Sequence, residues 1–442
     1  MIKMSMNAQS AVNQSEIDSH AVMYAQFLMN SKQAEKKRLA IFWPCNVLLK
    51  NGKYSTKSYQ HYQFSQLSDY FDLEIVAMVG EEESPSEKFL ETIDSSRLQM
   101  IHLPYAYGWF NYYIRKFPAV VYSMLRLFWK KRKEWDLILI IDPDVYSQIA
   151  YWLSSFCKIP AVVFIGGSYD FSILLIDKVV RRKAILWKAM SVVWSFFLSM
   201  SEKILLDFSP AVVTGKELYD KYCHKGGNIF LYNSTLVQEK DISAKSIEQR
   251  QFTPRRLKLL CVCRLTPVKG IEYLIDAFKE LPDNAEITLD VIGSVDPSYE
   301  EFLLRRIREY GLESKINLLG SIPHDDSLMK LYEKADVFVL PSISEGTPKV
   351  LFEAMAKGLP LIVTAVGGIP YLVAGKECAI LVPPREAEPF AKAMVALAED
   401  VEFRRKMGEK SIERAREFTL ERQVAKLSEF LMLYARKNTG IK

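Results

Sequence analysis

Apolar residues along the chain come in short runs of β type, separated by segments of helical length and period. Leu39–Trp43 is such a run, closed by Pro44, and reads as a first strand. Leu73–Val79, Leu137–Ile141, Ala161–Ile165 and Ala211–Thr214 repeat the pattern, with Ser55–Asp69 and Val120–Lys133 as helical segments among them. Strand–helix alternation of this kind predicts a parallel, helix-covered sheet. A polar stretch, Gln238–Arg256, then reads as a linker. A second alternation follows, with strands expected at Leu257–Cys263, Ile287–Ile292, Ile316–Leu319, Val337–Leu340 and Leu361–Val363. Its expected helices are Ile271–Glu280, Tyr299–Tyr310 and Lys349–Lys357, and Val401–Ala435 closes the chain as a charged helical stretch. The expected organisation is a polar, disordered tail (1–37), an N-terminal Rossmann-like acceptor domain (38–237), a linker (238–256) and a C-terminal Rossmann-like donor domain (257–415), with a helix over 416–437 returning to the first. Two doubly wound units in succession imply a cleft, because ligands of open α/β sheets sit at the carboxyl ends of strands.

Composition narrows the classes without choosing among them. With 442 residues, 49% hydrophobic and 25% charged, the chain is neither disordered, collagenous nor coiled coil. Six scattered cysteines without a CxxC pair argue against a zinc site or a disulfide framework. The net charge of +5 is too small to announce a nucleic-acid binder. The N-terminus lacks the apolar core of a signal peptide, and the run Ala189–Ser201 is too short to span a bilayer. The expected location is cytoplasmic, peripheral to the inner face of the membrane at most.

Candidate chemistry concentrates in Ser344–Pro370, SEGTPKVLFEAMAKGLPLIVTAVGGIP. A strand-like run leads through a Gly-Thr-Pro loop into a helix, and the unpaired N–H groups of a helix start make a cradle for anions. Glu345 precedes the loop and Glu353 follows eight residues on, about two helical turns. Neither acid is expected in the core. Each alone reads as well as a cap or a solvated side chain.

Three strings change that balance: RLTPVKG (Arg264–Gly270), EGTPKVLFEAMAKG (Glu345–Gly358) and TAVGG (Thr364–Gly368). Together they closely resemble the group 1, or family 4, retaining glycosyltransferases of the GT-B fold, over residues 257–385. The resemblance implies two facing Rossmann-like domains with a nucleotide-sugar, UDP- or GDP-linked, bound mainly to the second. It implies that Arg264 and Lys269 grip the donor diphosphate and that Glu345 meets sugar hydroxyls near the reacting carbon. Glu353 would take the ribose hydroxyls, and Gly346, Thr347, Pro348 and Lys349 would line sugar and phosphate. Two fixed cations near a strand end suit that task, because negative charge grows on a departing diphosphate. Relatives more often carry Phe-Gly where Thr347-Pro348 stands here, which removes one amide donor. In the first half the resemblance is architectural. Gly52 would approach the phosphates, whereas a histidine expected after Ala161–Ile165 is missing and Gly166-Gly167 stands there, followed by Ser168 and Asp170.

The implied activity is retaining transfer of a sugar to a carbohydrate or lipid-linked acceptor in bacterial-type cell-surface glycan or glycolipid synthesis, without cofactor or metal. Its rivals are a nucleotide-sugar epimerase or hydrolase on the same scaffold and a non-catalytic nucleotide-sugar-binding subunit. The intact set Arg264, Lys269, Glu345 and Glu353 speaks against both. Asp142-Pro143-Asp144 spells a metal-binding DxD but follows a strand of the first domain, so it reads as a loop opening. Residues 114–133 and 178–200 mix cations with Trp, Phe and Leu, as helices lying on an anionic membrane do, or as core helices with a basic outer face do.

Overall fold

The computed structural model describes residues 36–56, 59–80, 91–94, 96–104, 115–142, 144–166, 206–207, 209–223, 228–242, 253–282 and 284–436. The expected tail up to residue 35, the basic stretch 178–200 and Gly167, Ser168 and Asp170 lie outside them. The chain divides into two compact units, residues 1–211 with 424–442, and residues 212–423.

The early strands are β1 (Lys37–Lys50), β2 (Lys53–Thr56), β3 (Phe71–Gly80), β4 (Glu91–Ile93), β5 (Gln99–Pro104), β6 (Leu137–Asp142), β7 (Ala161–Ile165), β8 (Ala211–Thr214) and β9 (Ile229–Tyr232). They form one sheet of order β4-β2-β1-β6-β7-β8-β9, with β3 paired to β1 and β5. The β1–β3, β1–β6, β3–β5 and β6–β7 pairs are parallel. Pro44 does not close the first strand as expected. β1 runs on to Lys50, and its register with β3 shifts between Trp43 and Asn46, so the residue lacking an N–H falls where the ladder is already irregular. Asn51 and Gly52, both at positive φ, then make the two-residue turn that pairs Lys50 with Lys53. Ser55 and Thr56 are spent on β2, so the helix expected from Ser55 begins only at Gln60. The helix Phe117–Lys131 buries Val120, Met124 and Phe128, one face at spacing four, in the cluster that holds Trp135, Ile138 and Ile140.

The second sheet is parallel throughout, of order β12-β11-β10-β13-β14-β15. Its strands are β10 (Arg256–Val262), β11 (Glu286–Ile292), β12 (Ile316–Leu318), β13 (Val337–Leu340), β14 (Leu361–Thr364) and β15 (Ala379–Val382). Alternate residues serve opposite cores: Leu257, Leu259 and Cys261 join one cluster and Leu260 and Val262 the other. Both faces are covered, which is why these strands read as nearly unbroken apolar runs. The closing helical stretch is two helices, Val401–Glu417 and Leu420–Tyr434, parted at Phe418–Thr419.

Candidate active site

In chain order the second sheet reads 3-2-1-4-5-6, so the chain leaves β10 toward β11 on one side and returns to β13 on the other. That reversal opens a crevice beyond the carboxyl ends of β10 and β13, where open α/β sheets bind ligands. The RLTPVKG loop leaves β10 and the Ser342–Pro348 loop leaves β13. They are stitched together by the Ile343 amide N–H donating to the Val268 carbonyl at 2.8 Å. Gly270 stands in the left-handed region, φ 63°, and a Cβ there would lie 2.4 Å from the Pro341 carbonyl oxygen. Only glycine lets the two loops come this close.

Lys269 closes a three-residue 3₁₀ turn and reaches across to Glu345, its Nζ donating to Oε1 at 2.6 Å. The Ser342 hydroxyl donates to the same oxygen, also at 2.6 Å. Arg264 is exposed and has no hydrogen bond or ion pair with the other described residues. The TAVGG loop after β14 braces this arrangement. Thr364 Oγ1 donates to the Ser342 carbonyl at 2.6 Å, and the Gly368 N–H donates to the Gly346 carbonyl at 3.2 Å. Gly367, at φ 52°, passes so near that a Cβ would sit 1.7 Å from the Glu345 carbonyl oxygen.

Glu353 departs from the sequence reading. The helix starts at Lys349, with Pro348 as its N-cap, and Glu345 stands ahead of it in the loop. Glu353 is a core residue, 6% exposed, on a helix that buries six consecutive residues. Its Oε1 is 2.9 Å from His324 Nε2, and its Oε2 accepts from the Tyr332 hydroxyl at 2.8 Å. Burial pushes the Lys349 ammonium below the usual lysine range, with Glu353 one turn on acting against that shift.

The structure therefore brings Lys269, Glu345 and the Gly346–Lys349 segment together, and it adds Ser342, Thr364, His324 and Tyr332. His324 was hidden because an isolated histidine in a Pro-His-Asp-Asp turn carries no spacing signal. Gly52 belongs to the first unit, at the β1–β2 turn. Asp144 N-caps the helix Val145–Phe156, accepting from the Tyr146 N–H at 2.8 Å. Among the described residues no cluster of His, Cys, Asp and Glu could hold a metal ion.

Residues 243–414 match the profile of the family Glycosyl transferases group 1. The match covers about two fifths of the chain. All four charged positions of the glycosyltransferase pattern, Arg264, Lys269, Glu345 and Glu353, fall inside it, and Gly52 falls outside. Over 172 residues, 38% of this chain and 41% of the relative, the chain is 36% identical to D-inositol 3-phosphate glycosyltransferase of Corynebacterium glutamicum. Over 171 residues, 36% of this chain and 42% of the relative, it is 31% identical to the putative colanic acid biosynthesis glycosyltransferase WcaL of Escherichia coli. The matched stretch thus spans about two fifths of these relatives' length. Among solved structures, Anabaena HepE in complex with UDP matches 90% of this chain and 100% of its own, with a TM-score of 0.61 at 15% identity. A likeness at that identity speaks for the fold, and the fold is GT-B.

Proposed function

We propose that the protein moves a sugar from a UDP- or GDP-linked donor onto a carbohydrate or lipid-linked acceptor in cell-surface glycan synthesis, with retention and without a divalent metal. The observation that carries this is the Lys269–Glu345 pair fixed at the chain reversal of the second sheet, with Arg264, unpaired among the described residues, on the same loop. In this reading the bond from the anomeric carbon to the diphosphate oxygen breaks while the acceptor hydroxyl oxygen forms its bond to that carbon from the same face and passes its proton to the departing diphosphate oxygen. Arg264 grips the diphosphate as the donor binds, and Lys269 with the start of the helix Lys349–Ala356 stabilises the charge that collects on it as it leaves. Since fixed cations neutralise that charge, no metal is needed for it. The reading is supported by what similar proteins are named for: WcaL for colanic acid biosynthesis, and HepE for its complex with UDP.

Release of nucleoside diphosphate from a panel of UDP- and GDP-sugars, with and without candidate acceptors and EDTA, tests the proposal. NMR of the product anomer tests retention. Release that needs no acceptor would favour a hydrolase, and binding without release a non-catalytic subunit. Full loss with EDTA, restored by Mn²⁺ or Mg²⁺, would overturn metal independence.

A membrane-borne acceptor is supported by the first unit. The helix Phe117–Lys131 leaves Tyr122, Leu125 and Trp129 exposed at 67%, 48% and 57%, and the helix Val145–Phe156 leaves Trp152 and Phe156 exposed at 57% and 75%. Arg126, Lys130 and Lys133 are exposed beside the first set, and Arg132 lies 4.1 Å over the Trp129 ring. Aromatic side chains rimmed by cations fit the boundary of an anionic bilayer. No described helix is long and apolar enough to cross a membrane.

A further inference from the structure

Resting on the glycosyltransferase reading, in which the resemblance assigns the donor's ribose to Glu353, we infer that His324 and Tyr332 are positioning residues that aim its carboxylate at the vicinal diol. The Glu353 side chain is only 7% exposed, and a carboxylate so far from water must be met by donors. Tyr332 is fully buried on the helix Asp326–Lys334, its ring stacked on Phe338 with centroids 5.8 Å apart, so its hydroxyl has one place to be. His324 precedes that helix. Asp325, the next residue, caps it by accepting from the Ser327 N–H at 2.8 Å, which fixes the turn that carries the imidazole. An ionised carboxylate only accepts, so His324 Nε2 carries the hydrogen it shares with Oε1.

One donor thus sits on each oxygen, and both come from one segment, residues 324–332. Each carboxylate oxygen can accept twice. One acceptor position is left on each oxygen, enough for two adjacent hydroxyls of a ribose. Without His324 or Tyr332 the carboxylate is free to turn, and binding has to immobilise it, a cost of about three- to tenfold in affinity for one side chain. A purely structural role, satisfying a buried acid, would have no such preference for the diol.

Calorimetric titration with UDP and GDP, each against its 2′,3′-dideoxy counterpart, separates the two. His324→Ala should weaken the ribonucleotide by about three- to tenfold and leave the dideoxy compound nearly unchanged. His324→Gln, whose amide nitrogen reaches about as far as Nε2, should restore the preference, and Tyr332→Phe should reduce it like His324→Ala. Equal weakening of both nucleotides, or no rescue by His324→Gln, would overturn the inference. Glu353→Gln is the control for the underlying proposal. If it leaves the diol preference intact, the ribose assignment falls and this inference with it. If it removes the preference while His324→Ala and Tyr332→Phe do not, the inference alone falls.

Discussion

Lys269→Ala should cost far more catalysis than stability, and the structure sets both magnitudes. The Lys269 and Glu345 side chains are 19% and 9% exposed, 2.6 Å apart. Breaking an exposed pair costs about 0–1 kcal/mol and a buried one about 3–5. Glu345 keeps the Ser342 hydroxyl after the lysine is gone, which moves this case toward the lower figure, about 1–3 kcal/mol. Against a typical total of about 5–15 kcal/mol the variant should stay folded. Losing a donor that stabilises developing negative charge lowers turnover by about a hundredfold or more, and a hundredfold is about 2.7 kcal/mol of barrier. The assay is nucleoside-diphosphate release at saturating donor, with circular dichroism of the same sample. Binding should echo it: the variant should lose affinity for the nucleoside diphosphate and keep it for the nucleoside alone. Turnover within about threefold of the unmodified protein, with the fold intact, would refute the assignment of Lys269 to the leaving group.

Gly367→Ala, whose new methyl would meet the Glu345 carbonyl at 1.7 Å from a backbone at φ 52°, should displace the Glu345 loop and cut kcat at least about tenfold; a fully active variant would show the brace to be unimportant. Arg404 is fully buried and donates to the carbonyls of Leu397 and Thr253 at 3.1 and 3.0 Å, tying the helix Val401–Glu417 to the segments beside it. Arg404→Ala should therefore cost about 3 kcal/mol or more in urea denaturation while leaving kcat unchanged under conditions where it folds. The double variant Trp129→Ser, Phe156→Ser should lose at least about tenfold in sedimentation with anionic vesicles. Unmodified protein that never sediments with such vesicles would end the membrane proposal.

Legibility followed how local each determinant is. β7, β8 and β13 have the expected bounds because their four- or five-residue apolar runs are closed by polar or turn residues. The helix of Phe117–Lys131 was legible from its length as Val120–Lys133, three residues late at its start. β1 was cut short because Pro44 is a local stop signal, whereas the bulge that tolerates it is formed with β3, more than thirty residues on. β2, β4, β5, β9 and β15 were not expected, although β9 and β15 are apolar runs as long as β8 and β13. In the site, the loop pattern named Lys269 and Glu345 but not their contact, since the two stand 76 positions apart in sequence and meet through the pairing of β10 with β13. The burial of Glu353 escaped for a related reason. A glutamate reads as surface until its donors are seen, and Tyr332 and His324 come from a different helix and its preceding turn.

Arg264 and Lys269 share a loop yet stand in different electrostatic situations, which divides their labour. Lys269 is already balanced by Glu345 before any donor arrives, so the pair presents little net charge to an approaching diphosphate. Arg264 is exposed and unpaired among the described residues, so it is the cation of this loop whose field is not cancelled nearby. Long-range attraction of the donor should therefore fall to Arg264, while Lys269 acts once leaving-group charge grows enough to draw it from Glu345. An interaction equal in ground and transition states appears in KM, and one that strengthens with developing charge appears in kcat. Arg264→Ala should accordingly raise donor KM by about tenfold with little change in kcat, and it should flatten the dependence of kcat/KM on ionic strength. Titrating donor at low and high salt with both single variants measures the division. If Arg264→Ala lowered kcat at saturating donor and left KM and the salt dependence as they were, the two cations would have to exchange roles.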